Sequence, residues 1–271
     1  MNVAHGKNNA QMLSKVPEVT IIFWAIKVMG TTIGETAADF LSANIGLGLT
    51  GTSFIMGGLL AVSLFIQLRS RKYVPWIYWT TVVLISIVGT LITDNLVDNF
   101  GVPLQLTTII FGVATASIFA LWYWSEKTLS IHSIYTLKRE LYYWVAILFT
   151  FALGTAAGDL SAEGLRLGYA VSALVFSVLI GAVTVAHYRF RVNAIATFWL
   201  AYILTRPLGA SCGDLLTQSS ANGGLGLGAA TISILYLLTI TGLVIYLTLI
   251  QNKIRRETTT EAIAGEGDRT N

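Results

Sequence analysis

Seven carboxylates interrupt an otherwise apolar chain: Glu35, Asp39, Asp94, Asp98, Asp159, Glu163 and Asp214. Two isolated bases, Lys27 and Arg206, lie within the same hydrophobic runs. A carboxylate in or near hydrocarbon is costly, so it faces a partner, a bundle interior or water. Oxygen donors unaccompanied by thiolates or imidazoles suit a hard or intermediate cation, Mg2+, Mn2+ or a proton, and not zinc or copper. Of the three histidines, His5 lies in the N-terminal segment, His132 between runs and His187 at the end of one; the single cysteine, Cys212, excludes an internal disulfide. The carboxylates best suited to hold a metal are Glu35, Asp39 and Asp159. Lys27, Glu35 and Asp39 stand at i, i+8 and i+12, along one side of a helix. Lys27 is two turns from Glu35, so a partner for that acid is expected from another helix, and Arg206 is the candidate. Pro207 beside it removes a helical donor and predicts a broken helix. With no phosphate cradle, serine elbow or HExxH element present, neither an enzyme nor a bound cofactor is expected.

The elements that place these groups show themselves as a repeat. Ten residues after each of Trp24, Trp79, Trp144 and Trp199 stands a glycine, Gly34, Gly89, Gly154 and Gly209. Fifteen residues after each stands an aspartate, Asp39, Asp94, Asp159 and Asp214. The tryptophans are 55, 65 and 55 residues apart, so the halves are related by a shift of 120. Softer matches follow, such as Gly46 and Gly101, each 22 residues after its tryptophan. The tryptophans read as interface anchors and the glycines as sites of close helix packing. On a helix the glycines fall about 15 Å, and the aspartates about 22 Å, beyond the tryptophan.

Composition identifies the medium. Of 271 residues 54% are hydrophobic and 11% charged, and several apolar stretches are long enough to cross a bilayer. Spans are expected at about 18–40, 50–68, 75–97, 104–124, 141–161, 168–188, 193–215 and 225–250. Fourteen of the 17 Lys and Arg residues fall in the tails and alternate linkers, on one face of an eight-span arrangement. By the excess of Lys and Arg on cytoplasmic segments, both termini are inside. The basic residues form no stripe or arm for nucleic acid, so the expected partners are the lipid bilayer and a small cation or proton, and a homo-oligomer is compatible with the pattern. The expected fold is an all-α polytopic membrane protein of eight transmembrane helices. They form four parallel tandem two-helix repeats, at 18–73, 74–128, 139–193 and 194–250, between a cytoplasmic tail at 1–17 and a flexible tail at 251–271. Two-span repeats share one sense and are related by an axis along the membrane normal, unlike the inverted repeats of many transporters. The first helices can then converge with their aspartates at one depth.

The repeated segments GTTIGETAADFL, GTLITDNL, LGTAAGDL and PLGASCGDL resemble a bacterial family of uncharacterised membrane-anchored proteins built from four tandem copies of a repeat of unknown function. The resemblance implies this architecture and a multi-pass protein of the bacterial cytoplasmic (inner) membrane; it carries no substrate. The residues point to a transporter moving a small cation through a central cavity lined by the repeated carboxylates, with or without proton coupling. In that reading Lys27 and Arg206 tune the charge as two 120-residue halves rock. A membrane scaffold, sensor or accessory subunit with a buried charge network is the alternative. Only the first copy places an acid, Glu35, directly after its glycine, which singles Glu35 out for specificity.

Overall fold

The computed structural model describes residues 14–267, with side chains through Arg255, and these residues form eight long helices and no strand. The helices are α1 (Ile21–Asp39), α2 (Gly48–Arg69), α3 (Pro75–Asp94), α4 (Leu104–Glu126), α5 (Leu137–Asp159), α6 (Tyr169–Phe190), α7 (Ala194–Thr217) and α8 (Ala229–Gly267). Each coincides with one expected apolar run. The last helix runs on to Gly267, through much of the segment expected as a flexible tail. Most of the expected N-terminal tail, with His5, and residues 268–271 lie outside the described residues. Six helices, α2 to α6 and α8, are long and apolar enough to cross a membrane. The other two carry Lys27, Glu35 and Asp39 (α1) or Arg206, Pro207 and Asp214 (α7), which lowers their apolar content.

Starts and stops are local chemistry. Thr20 caps α1 by accepting from Phe23 N–H at 3.3 Å, Thr136 caps α5, Asn193 caps α7, and Pro75 opens α3 where no helical donor is needed. At their far ends α1, α3 and α5 each pass, directly after the aspartate, into a five-residue π-helical turn: Phe40–Asn44, Asn95–Asn99 and Leu160–Gly164. The chain then reverses through left-handed backbone 22 residues after the tryptophan. Gly46 and Gly101 hold φ of +79° and +67° there, and in the third copy Arg166 takes the same conformation at +57°.

Odd and even helices divide into two layers. The most apolar stretches of α3 and α5 are 72% and 56% buried, against 17–22% for α2, α4, α6 and α8. The even helices coat the outside with exposed side chains such as Phe54, Phe65, Ile109, Val113, Leu174, Val178 and Leu238, a surface suited to lipid. The odd helices form a closed ring in which α1 packs on α3, α3 on α5, α5 on α7 and α7 back on α1. Each outer helix packs mainly on the inner helix of the following repeat: α2 on α3, α4 on α5, α6 on α7 and α8 on α1.

The repeated residues make the four junctions. A Cβ added at Gly34 would strike Ser86; at Gly89, Phe151; at Gly154, Arg206; at Gly209, Thr31. In each case the glycine meets the residue seven after the tryptophan of the next copy, and the fourth copy meets the first. The tryptophans follow the same rotation. Trp79 meets Phe23 at a centroid distance of 5.5 Å, Trp144 meets Tyr78 at 5.5 Å, Trp199 meets Tyr143 at 6.2 Å and Trp24 meets Phe198 at 5.8 Å. Trp24, Trp79, Trp144 and Trp199, expected as interface anchors, are thus knobs between helices, and the last three are almost fully buried. Exposed Trp76, Trp124 and Tyr188 have the position of belt residues instead.

Candidate functional site

Inside the ring, every fourth residue of each odd helix faces the axis, giving layers stacked along it. Nearest the helix starts lie Phe23, Tyr78, Tyr143 and Phe198, closed by a hydrogen bond between the Tyr78 and Tyr143 hydroxyls. The next layer is Lys27, Val82, Ile147 and Tyr202, all buried; above it come Thr31, Ser86, Phe151 and Arg206, all fully buried. Then come Glu35, Thr90, Thr155 and Ala210, and finally the four aspartates.

The aspartates open on a cavity of about 450 Å³ at the end of the axis. Its walls hold Glu35, Asp39, Asp94, Asp98, Asp159, Glu163 and Asp214, half of the chain's 14 acidic residues, so the odd helices do bring their carboxylates to one depth. Ser42, Gln218, Leu49 and Leu104 are among the remaining lining residues. No aspartate caps the π-helical turn that follows it. Among the described residues, Glu35, Asp159 and Asp214 present ligand oxygens within 4.8 Å of one another. Asp39, expected in that trio, stands on the cavity wall, and Asp214 from the fourth copy takes its place because α7 closes the ring beside α1. Such a trio, with carboxylates around it, is the donor set of a hard cation and would equally hold shared protons.

Arg206 lies buried beneath the cavity, against Glu35 of its wall. Its Nη2 donates to Glu35 Oε2 at 3.1 Å, to Thr155 Oγ1 at 2.7 Å and to Thr90 Oγ1, and its Nη1 donates to the Thr31 carbonyl at 2.6 Å. One guanidinium on α7 therefore joins all three other inner helices. Thr90 and Thr155 occupy the register of Glu35, eleven after the tryptophan, so two copies supply hydroxyls and one a carboxylate. The expected pairing of Arg206 with Glu35 is present as an ion pair. The expected break at Pro207 is not: α7 continues through the proline, which packs against Gly154 and Gly158.

Lys27 reaches no carboxylate. Its ammonium is fully buried, lacks a hydrogen-bond partner and lies 3.8 Å and 4.1 Å from the ring centroids of Phe151 and Tyr202. Beyond the aromatic layer, a second ionic contact escaped the reading of the sequence. Lys15 Nζ meets Glu140 Oε2 at 2.5 Å and donates to the Leu68 carbonyl at 3.1 Å, while Gln67 donates to Glu140 at 3.1 Å. Glu140 stands in the first turn of α5, in a basic stretch, LKRE, that reads as solvated charge. Nothing local marks it as buried.

With this geometry in view, comparison with known proteins adds a family. A family model described as Repeat of Unknown Function (DUF347) matches residues 22–73, 77–128, 142–193 and 197–252, which together span most of the chain. No curated protein and no solved structure matches.

Proposed function

We propose that this chain, which belongs to the DUF347 repeat family, is an integral membrane transporter. Its substrate is a small cation, a divalent metal such as Mn2+ or Mg2+, moved without chemical conversion. Its place is the bacterial cytoplasmic membrane, crossed eight times by the four repeats with both termini inside. The observation that carries the reading is the convergence of seven carboxylates on one cavity at the end of a closed ring's axis. So many like charges in one space require offsetting by bound cations or protons, and a single ion pair with Arg206 leaves most of them open to such ligands. The cavity lies at the far end of the odd helices from the tryptophans; with the termini inside, it opens outward. Below it, Arg206 and the aromatic layer close the axis, a conformation open to one side. No nucleic acid has a place on this surface, and the bilayer is the partner of the apolar coat.

Purified protein in liposomes, loaded with a metal-sensitive dye and challenged with Mn2+ and Mg2+, is expected to show saturable flux. Asp159→Asn and Asp39→Asn, folded by size-exclusion chromatography, are expected to lower it. For Asp159 the loss should be at least the ~10–100-fold typical of outer-shell changes at metal sites, since it supplies a ligand itself. Undiminished flux in both folded variants would leave the carboxylates as a structural network in a scaffold or sensor.

A further inference from the structure

Lys27 is the one buried ion on the axis that transport through the carboxylates leaves without a role. In the other copies its register holds Val82, Ile147 and Tyr202, so neither the repeat nor the packing of the ring requires an amine there. A buried ammonium without hydrogen bonds loses much of its hydration, and two ring faces return only part of that loss. The neutral amine loses far less, so this environment is one in which a proton can come and go. Phe151 and Tyr202 hold the nitrogen between two polar layers: Arg206, with Glu35 behind it, toward the cavity, and the Tyr78–Tyr143 hydroxyl pair on the other side. Charged and titratable groups of the packed elements are Glu35 on α1 itself, Tyr202 and Arg206 on α7, Tyr78 on α3, Tyr143 on α5 and Tyr236 on α8. None is a carboxylate free to pair with Lys27.

From these observations, and resting on the transport reading above, we propose that Lys27 carries the coupling proton of a cation–proton antiporter. The ammonium gives its proton, through water or the tyrosine hydroxyls, to the side toward which the axis opens. The neutral amine takes one proton back from the other side, and one proton moves against each turnover of the cation. Electrostatics supplies the linkage. Eight helical residues separate Lys27 from Glu35, about 12 Å. At an effective dielectric constant near 20, one unit charge at each position changes the other's binding about tenfold, and a divalent cation about a hundredfold. Cation in the cavity and proton on Lys27 thus each weaken the other's binding.

The experiment compares two modes of Mn2+ movement in proteoliposomes: Mn2+/Mn2+ counterflow, which needs no proton, and Mn2+ accumulation driven by an imposed pH gradient. Wild-type protein is expected to show both. Lys27→Met is expected to keep counterflow and lose accumulation. Lys27→Arg, which keeps the charge but holds its proton at any accessible pH, is expected to lose accumulation as well. Size-exclusion chromatography establishes that each variant is folded. Accumulation in either variant overturns the proposal, as does loss of counterflow in folded Lys27→Met, which would make the lysine part of binding or of the fold. Counterflow without proton drive in the wild type rejects proton coupling alone. Absence of all Mn2+ movement in the wild type rejects the transport reading itself.

Discussion

The closed ring makes a quantitative demand on four glycines, among them Gly209, which joins the last repeat to the first. A Cβ there would land on the hydroxyl and Cβ of Thr31 and 3.0 Å from its backbone carbonyl carbon, so the neighbour has no flexible tip to withdraw. Gly209→Ala must separate α7 from α1 or expel the Thr31 side chain, which donates to the Thr205 carbonyl at 3.2 Å. Overpacking of this kind costs about 1–3 kcal/mol, and loss of the hydrogen bond adds about 1 kcal/mol. Alanine also gains up to about 1 kcal/mol of helix propensity over glycine, which would mask part of the effect. Gly57, on outer helix α2 with nothing within 4 Å of the added atom, removes the ambiguity. Gly57→Ala has the propensity gain alone, so the difference between the variants isolates the packing term, about 2–4 kcal/mol. Equilibrium unfolding in mixed micelles measures both. If Gly209→Ala matches Gly57→Ala, α7 and α1 do not touch there and the ring is open.

Two further outcomes test the axis and its orientation. Arg206→Met is expected to destabilise by about 3–5 kcal/mol in the same unfolding assay, because Glu35 is left buried without its counter-charge. Combining it with Glu35→Gln should recover about 1–3 kcal/mol relative to the sum of the single changes, and strict additivity would show the pair uncoupled. In a Cys212→Ser background, Asn222→Cys in the turn between α7 and α8 is expected to react with an impermeant maleimide on intact cells, and His132→Cys in the linker between α4 and α5 only after permeabilisation. Labelling of both from one side would overturn the eight-span arrangement.

What the sequence made legible was what recurs. Trp, Gly and Asp at fixed offsets located the four inner helices and the depth of the carboxylates, because a repeat repeats its geometry. The expected position of a partner for Glu35 on another helix followed from reach alone: Lys27 is two turns away. Adjacency between repeats was not legible, since a two-helix unit reads as a hairpin packed on itself, whereas α2 lies mainly on α3 and α8 on α1. That offset is why the tryptophans were misplaced. A tryptophan near a helix start fits a lipid interface and an inter-helix pocket equally well, and only the ring supplies the pocket, with Phe23 against Trp79 and Phe198 against Trp24. Reading the register of Glu35 across the copies would have found Thr90 and Thr155, the other side-chain partners of Arg206. Asp214 replaces Asp39 in the tightest trio for a reason no single helix contains: it depends on how the fourth copy closes against the first.

On the transport reading, the same closure explains how occupancy of the cavity reaches the gate. A ligand shifts a conformational equilibrium only through interactions that differ between its states. The four glycine junctions are alike in backbone but not in side chain, and only at the junction of α5 with α7 does the residue over the glycine, Arg206, also hydrogen-bond to the other two inner helices. Opening the axis at any junction strains that hub. A cation among Glu35, Asp159 and Asp214 competes with Arg206 for Glu35 and so loosens the hub from within the cavity. An empty cavity leaves Glu35 to the guanidinium and the axis shut. On that reading Glu35 is both a ligand and a latch, and its privacy to the first copy follows: a carboxylate in all four registers would hold more cation, but with one arginine to answer it the empty ring could not close.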